Sequence, residues 1–482
     1  MRPISDERLR ALVEQALARD PERARDSLRG AGLGPWGMVP EATDPKRRPG
    51  RWPDETRWTD ETRVPSAEMP HVGRGAEESL LRRIEPWDFR LVAAEVDSGR
   101  GFESFRSGGF IDDGVSFEAV AGWTDGFLRN GRVDFLARAR ASRIDAQLRV
   151  ITAAARWSLG GAELSLGREP VWLGPGREGA VLLSNEAPSL DLIRLVPAEP
   201  GRGPGALRGL GTWSYLFMVG RLDEERADFD HPLLLAMRVS LSPHAWVEIG
   251  ATRTDMFGGD GRLGRLKARD IVKILTGSEV NRYEPVDVAD NDQKAALDLS
   301  IVAPFLAAVP GVRGGRFSIE YAGEDRRSDV LFPAAIAKTV GAELLTAYGS
   351  VRMEIADTVD DSARWYIHRV YRDGYTYRDR WMGHAIGSDS RWGVLEVVVP
   401  VGDDWTVAAR YEERRHGDEH GPRRTAIRRG VDARWNGGAG AWELRYGWRT
   451  FDGPLLPSEA RFEERAIEIA YHLLPSRQER VR

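Results

Sequence analysis

Residues 440–449, GAWELRYGWR, repeat with period two. Trp442, Leu444, Tyr446 and Trp448 fall on one face of an extended strand, and Glu443, Arg445, Gly447 and Arg449 on the other, because successive strand side chains point to opposite sides. Such a strand requires apolar surroundings on one side and polar surroundings on the other. At roughly 3.3 Å per residue, Trp442 and Trp448 stand about 20 Å apart. That is close to the ~25 Å apolar band of an outer-membrane barrel, bounded by two aromatic girdles. An amphipathic strand of a soluble antiparallel sheet alternates in the same way, so the number and order of the other strands must decide.

The same period predicts strands at 88–96, 115–123, 131–141, 145–157, 161–168, 189–196, 211–221, 232–241 and 245–253. It continues at 294–303, 315–322, 338–345, 348–356, 393–400, 404–412, 425–436, 440–449 and 461–473. The long connections (97–114, 169–188, 254–293, 357–392, 413–424) all follow odd-numbered strands, and the tight turns mostly follow even-numbered ones. An up-and-down outer-membrane barrel has this parity, with short periplasmic turns and long outer loops; a soluble sandwich has no reason to keep it. The expectation is therefore an all-β, antiparallel transmembrane barrel of about 18 strands over residues 86–474, with both chain ends on the periplasmic side. Residues 1–85 form a helical and linker module ahead of it, and 475–482 a polar tail. Within the module, Leu9, Leu12, Val13, Ala16 and Leu17 recur at helical spacing, and Asp20-Pro21 offers an N-cap with Pro at the first helical position.

Composition bounds the alternatives. No window is apolar for the ~18 residues that a membrane helix needs, which says nothing about barrel strands, since they expose only alternate residues to lipid. There is no Cys, hence no disulfide and no thiolate metal site, and the net charge of −5 argues against a general nucleic-acid partner. Only Lys46, Lys267, Lys273, Lys294 and Lys338 among 69 basic residues are lysine; Arg suits planar hydrogen bonding to sugars and carboxylates. Met1–Leu17 holds no charged-then-apolar leader, which an outer-membrane protein needs; either the sequence is that of the mature form, or its start is misplaced, or the protein is soluble.

Residues 167–188, GREPVWLGPGREGAVLLSNEAP, resemble a segment of the Wzi capsule-assembly family, in which Gly-Arg leads to Trp-x-Gly-Pro-Gly and an apolar run ends Ser-Asn-x-Ala-Pro. Further matches follow in family order at 247–262 (VEIGATRTDMFGGDGR) and 366–390 (YIHRVYRDGYTYRDRWMGHAIGSDS), so the resemblance covers roughly residues 88–470. Glu186 stands where the family pattern has Asn. The resemblance implies an outer-membrane β-barrel with a periplasmic helical part that binds capsular or extracellular polysaccharide and helps retain it at the cell surface. It implies contact with outer-membrane lipid and with the polysaccharide export machinery, and no cofactor.

Two loops carry the candidate glycan contacts. Trp172 and Asn185 offer an aromatic face and an amide for a sugar, or else Gly174-Pro175-Gly176 fixes a bend and Trp172 packs on the wall. Tyr371, Tyr375, Tyr377, Arg380 and Trp381 belong to an aromatic and Arg-dense stretch on an external loop, which reads either as a glycan surface or as a self-packed plug. Arg410, Glu412, Asp432, Arg434, Glu443 and Arg445, with Arg449, face the lumen, either pairing with one another or forming a polar track for an anionic glycan.

Residues 263–276 have the pattern of a short amphipathic helix over the pore. The Gly-rich run 257–262 lacks the Lys-Ser/Thr and βαβ frame of a phosphate cradle. Asp287, Asp290 and Asp292 read as a solvated acidic loop, their spacing not fitting a calcium loop. No catalytic triad or His-based metal site stands out. The expected function is non-enzymatic polysaccharide binding; an open export porin and a soluble glycan-active enzyme are the alternatives.

Overall fold

A computed structural model of the protein describes residues 88–473, except 98–113, 128–129, 143–145, 203–208, 262–266, 277–290, 327–332, 361–363, 418–423, 437–439 and 453–461. The helical module expected over 1–85 and the polar tail lie outside the described residues. Among the described residues there are eighteen long strands. The first nine are β1 (Asp88–Asp97), β2 (Gly114–Phe127), β3 (Gly131–Ser142), β4 (Ala146–Ser158), β5 (Ala162–Glu169), β6 (Leu190–Pro197), β7 (Thr212–Arg221), β8 (Leu233–His244) and β9 (Val247–Phe257). The second nine are β10 (Asp292–Val302), β11 (Val312–Arg326), β12 (Pro333–Thr346), β13 (Gly349–Asp357), β14 (Ser390–Val401), β15 (Trp405–His416), β16 (Arg424–Asn436), β17 (Gly440–Asp452) and β18 (Phe462–Leu473).

Each strand pairs antiparallel with its neighbours in sequence, and β18 returns to pair with β1 from Phe89↔Leu473 to Asp97↔Arg465. The ring is closed, so no strand edge is left open, as a lipid-facing sheet requires. Every strand read from the alternation is present. Most are longer than read, because beyond the apolar band nothing holds the outer face to apolar residues. The parity of connections holds in the main, with one exception: 198–211, which carries the short pair Gly201–Arg202 against Thr212–Trp213, is long yet follows the even-numbered β6.

The two faces of the wall match the alternation. On β17, Trp442 and Leu444 are 48% and 47% exposed on the outside, while Glu443 and Arg445 are each 2% exposed inside. At the tight-turn end Trp405, Trp435 and Trp442 lie side by side in register, and the rings of Trp442 and Tyr471 are 4.7 Å apart, forming one aromatic girdle. The interior is not polar throughout. Towards the loop end of β6–β12, Leu192, Met218, Leu234, Ala236, Met256, Ala296, Ala322 and Ala337 turn inward and are buried under loop residues. Inside and outside are thus both apolar in this sector, and the inner surface is dry because the loops cover it.

The amphipathic segment forms helix α1 (Ala268–Thr276), but not over the pore. Its Ile274 packs against Leu235 and Phe257, beside Val219, Leu233 and Met237. These are outer-face residues of β7–β9, so the helix lies on the outside of the barrel.

Candidate functional site

Two long connections fold into the bore. The first, 170–189, leaves β5 and crosses to the far side of the ring. Backbone N–H groups of Arg177 and Glu178 donate to the Glu354 carboxylate on β13 at 2.8 and 3.2 Å. The N–H of Val181 donates to Glu320 on β11 at 2.9 Å, and Arg316 donates to the Pro175 carbonyl at 2.8 Å. At the tip, the Glu178 carboxylate accepts both terminal nitrogens of Arg410 on β15, at 3.0 and 2.9 Å, and lies 2.8 Å from Arg352. A two-nitrogen clamp on a carboxylate is directional as well as strong. The wall therefore supplies acceptors where the loop has backbone donors, and cations where it has an anion.

Close approach explains the glycines of this loop. A Cβ on Gly176 would stand 2.1 Å from the Gly179 carbonyl oxygen, and one on Gly179 would stand 2.3 Å from the His384 ring. The Gly-Pro-Gly segment is a packing device.

The second connection, 358–389, lies against the first. Tyr366 O–H donates to the Val181 carbonyl at 2.5 Å and accepts from the His384 N–H at 2.8 Å. Its ring stacks between Tyr375 (centroids 5.8 Å apart) and Trp381 (5.4 Å). Tyr371 O–H donates to the Gly258 carbonyl at 2.9 Å. Ser184 N–H donates to the Met382 carbonyl, also at 2.8 Å. Lys294 on β10 sits 4.6 Å from the centroid of Tyr375 and pairs with Asp292 and with Glu324, 2.9 Å away. From the connection 222–232, Arg226 donates to the carbonyls of Thr376 and Gly374, both at 2.9 Å. Burial pushes the pKa of Tyr366 and Tyr375 upward, so the Tyr366 hydroxyl remains a donor.

The aromatic candidates are thus plug, not display. Trp172, Tyr371, Tyr375, Tyr377 and Trp381 are at most 4% exposed, and Asn185 is buried beside them. Tyr375 and Trp381 stack on Tyr366, Lys294 lies over the Tyr375 ring, and Arg378 lies over the Tyr377 ring at 5.4 Å. Of that group only Arg380 reaches the mouth, 3.5 Å from Glu186. It flanks a two-residue turn, Arg378-Asp379, in which both residues have positive φ (50° and 60°). A type I′ hairpin needs that backbone and normally takes Asn, Asp or Gly there; Asp379 adopts it readily, and Arg378 adopts it at a cost of roughly 1–2 kcal/mol.

Opposite this hairpin, the loop end of the wall carries Arg138 on β3, which faces Arg149 on β4 in register, and Arg140. Glu118 on β2 lies 3.4 Å from Arg138 and 3.1 Å from Arg140. Arg378 and Arg380 reach into the electrostatic neighbourhood of Arg149. Arg380 lies beside Glu186, Glu118 holds Arg138 and Arg140, and Glu224 accepts from the Arg378 backbone N–H. Sequence reasoning missed Arg138, Arg140 and Arg149; for Arg149 the inward face depends on a register shift between Leu136 and Ala137 that alternation does not show.

The lumen ladder pairs internally. Arg410 lies 3.1 Å from Glu412, and Arg445 lies 2.7 Å from Glu443 and 2.9 Å from Glu468. Asp432 is 3.9 Å from Arg445, and Arg434 donates to Asn436 at 3.1 Å. Asp287 and Asp290 lie outside the described residues, and Asp292 is engaged by Lys294. Among the described residues no group of three His, Asp or Glu side chains is placed to hold a metal ion.

A family model described as capsule assembly protein Wzi matches residues 112–469. The structure is similar to that of Wzi from Escherichia coli, described as a carbohydrate-binding β-barrel of the outer membrane involved in group 1 capsule assembly. The TM-score is 0.58 at 19% identity, covering 79% of this chain and 84% of that one. A Klebsiella pneumoniae protein, an uncharacterized 55.8 kDa protein in the cps region, is 30% identical over 101 residues; the match spans 20% of each chain, a fifth of that relative's length. The family model takes in both plug loops and seventeen of the eighteen strands, β2 to β18, and on that extent the chain belongs to the Wzi family of capsule assembly proteins.

Proposed function

We propose that this chain sits in the outer membrane and holds surface polysaccharide at the loop-side mouth of its barrel without conducting it, assisting attachment of capsule at the cell surface. The long loops then face outward and both ends of the barrel face the periplasm, with outer-membrane lipid around the apolar belt. The observation that carries this reading is the connection 170–189, which crosses the bore and is clamped by Arg410 and Glu354 on the far wall. A polymer reaches the mouth and goes no further. The carbohydrate binding of the Escherichia coli relative supports the same reading.

The mouth favours an acidic polymer. Arg378 and Arg380 on the hairpin, with Arg138, Arg140 and Arg149 on the wall, suit carboxylates such as those of uronic acid residues, which accept two guanidinium hydrogen bonds at once. Binding is tested with the full chain in detergent, an acidic capsular polysaccharide and neutral dextran. The double variant R378A/R380A should weaken acidic-polymer binding about tenfold or more, since a hydrogen bond to a charged group contributes on the order of 1.5–3 kcal/mol. Binding should also fall as salt is raised. Unchanged affinity, or equal binding of dextran, would overturn the assignment.

A further inference from the structure

Helix α1 is laid on the outer wall by specific contacts. Ile274 rests on Leu235 and Phe257. Beneath the helix, β9 turns two charged residues outward, Arg253 and Asp255, where its neighbours Ile249 and Ala251 are exposed. Arg253 pairs with Asp255 at 2.6 Å and donates to the carbonyls of Ile274 and of Leu275, the latter at 3.0 Å. Asn291 donates to the Asp255 carboxylate. The last carbonyls of a helix lack intrahelical donors, and carry the negative end of its dipole. Arg253 meets that need, and the helix in turn covers a charged pair on a wall that otherwise faces outward.

One arc of the helix is apolar and bare. Ile271, Val272 and Leu275 are 47%, 57% and 40% exposed. They make up that arc, and the sequence places Arg269, Asp270, Lys273 and Thr276 off it; Asp270 is buried and accepts from the Lys267 N–H at 2.9 Å. The bare arc is continuous with the apolar belt of the barrel: Leu233, Leu235 and Met237 under the helix lead along the outer face of β8 to Val239, itself 46% exposed.

We propose that α1 is an interfacial helix, seated by Arg253 on the barrel rim, whose Ile271, Val272 and Leu275 insert among the acyl chains of the surrounding leaflet. An amphipathic helix lying in the membrane plane buries such a face at the boundary between headgroups and acyl chains. The continuity of its bare face with the belt argues for lipid as the occupant. The charged pair it shields would be costly against hydrocarbon if the helix lifted away. The helix thereby sets the depth of the loop-side mouth in the membrane. This inference rests on the outer-membrane reading.

The absence of Cys in the chain gives a clean test. Single-cysteine variants I271C, V272C, L275C and K273C carry a nitroxide label in the full chain, reconstituted into vesicles of phosphatidylethanolamine and phosphatidylglycerol. L297C on β10, at an exposed belt position, serves as the reference. Collision of the label with oxygen, which partitions into lipid, is compared with collision with a water-soluble nickel chelate. Labels at 271, 272 and 275 should show an oxygen-to-nickel ratio several-fold above that at 273 and approaching that at 297. If 297 reads as lipid while 271, 272 and 275 read as water, the helix assignment is overturned and the barrel reading stands. Shielding of these labels from both reagents would mean a protein partner, such as a second copy, and would also overturn it. A nickel-dominated signal at 297 would instead overturn the membrane reading itself.

Discussion

Glu178 and Tyr366 hold the plug, each in a different way. The Glu178 carboxylate is buried and shared by Arg410 and Arg352. Arg410 also holds Glu396 and Glu412, so removing it leaves three buried carboxylates short of a cation, at a cost of up to about 3–5 kcal/mol. The variant R410M should therefore lower the denaturant midpoint of the plugged form markedly, while E178Q/R410M together should lose less than the sum of the single variants. Tyr366 bridges the two loops through one hydroxyl, and Y366F leaves the Val181 carbonyl and the His384 N–H without it, costing about 1–3 kcal/mol. Its pKa in the folded protein is raised by burial. The sign follows: stability from this group is intact below the ordinary phenol range and is lost as pH rises above about 10, where the unfolded chain releases its proton first. Stability measured from pH 8 to 11 should fall less steeply in Y366F than in the parent; parallel curves would contradict the assigned burial.

At the scale of elements, the strands were legible and the loops were only half so. A strand such as β17 declares both its faces, because lipid on one side and charge on the other dictate alternate residues from Trp442 to Arg449. The connections carry no such period. The aromatic density of 365–381 fits display and self-packing equally well, and the decision rests on partners far away in sequence: Val181 for Tyr366, Gly258 for Tyr371, Glu354 for Arg177. Helix α1 was legible as an amphipathic helix from its spacing. Its seat on the outer wall was not, since that depends on Arg253 turning outward on β9. For 170–189 the measurable consequence is amide exchange. The N–H groups of Arg177, Glu178 and Val181 donate to buried carboxylates, and a peptide spanning 175–183 should exchange hydrogen as slowly as the neighbouring strands. Exchange at the rate of an exposed loop would show that the segment is not held in the bore.

Over the whole molecule, closure of the ring between β1 and β18 turns two local facts into one function. A closed wall of eighteen strands encloses a bore wide enough for a channel, as barrels of this strand number do. Yet the sector from β6 to β12 is lined with Leu, Met and Ala that the loops cover. The loops that fill it start from one side and are bound by side chains on the other. The polymer contact proposed above lies at the loop-side mouth, where Arg378 and Arg380 stand on the hairpin. The central claim, a barrel stoppered by its own loops, is tested most directly by planar-bilayer conductance of the purified full chain. The plugged barrel predicts no steady pore current from the parent protein, and ohmic current from a variant in which residues 171–187 are replaced by a short Gly-Ser turn. A large, steady ohmic conductance from the parent protein would contradict it.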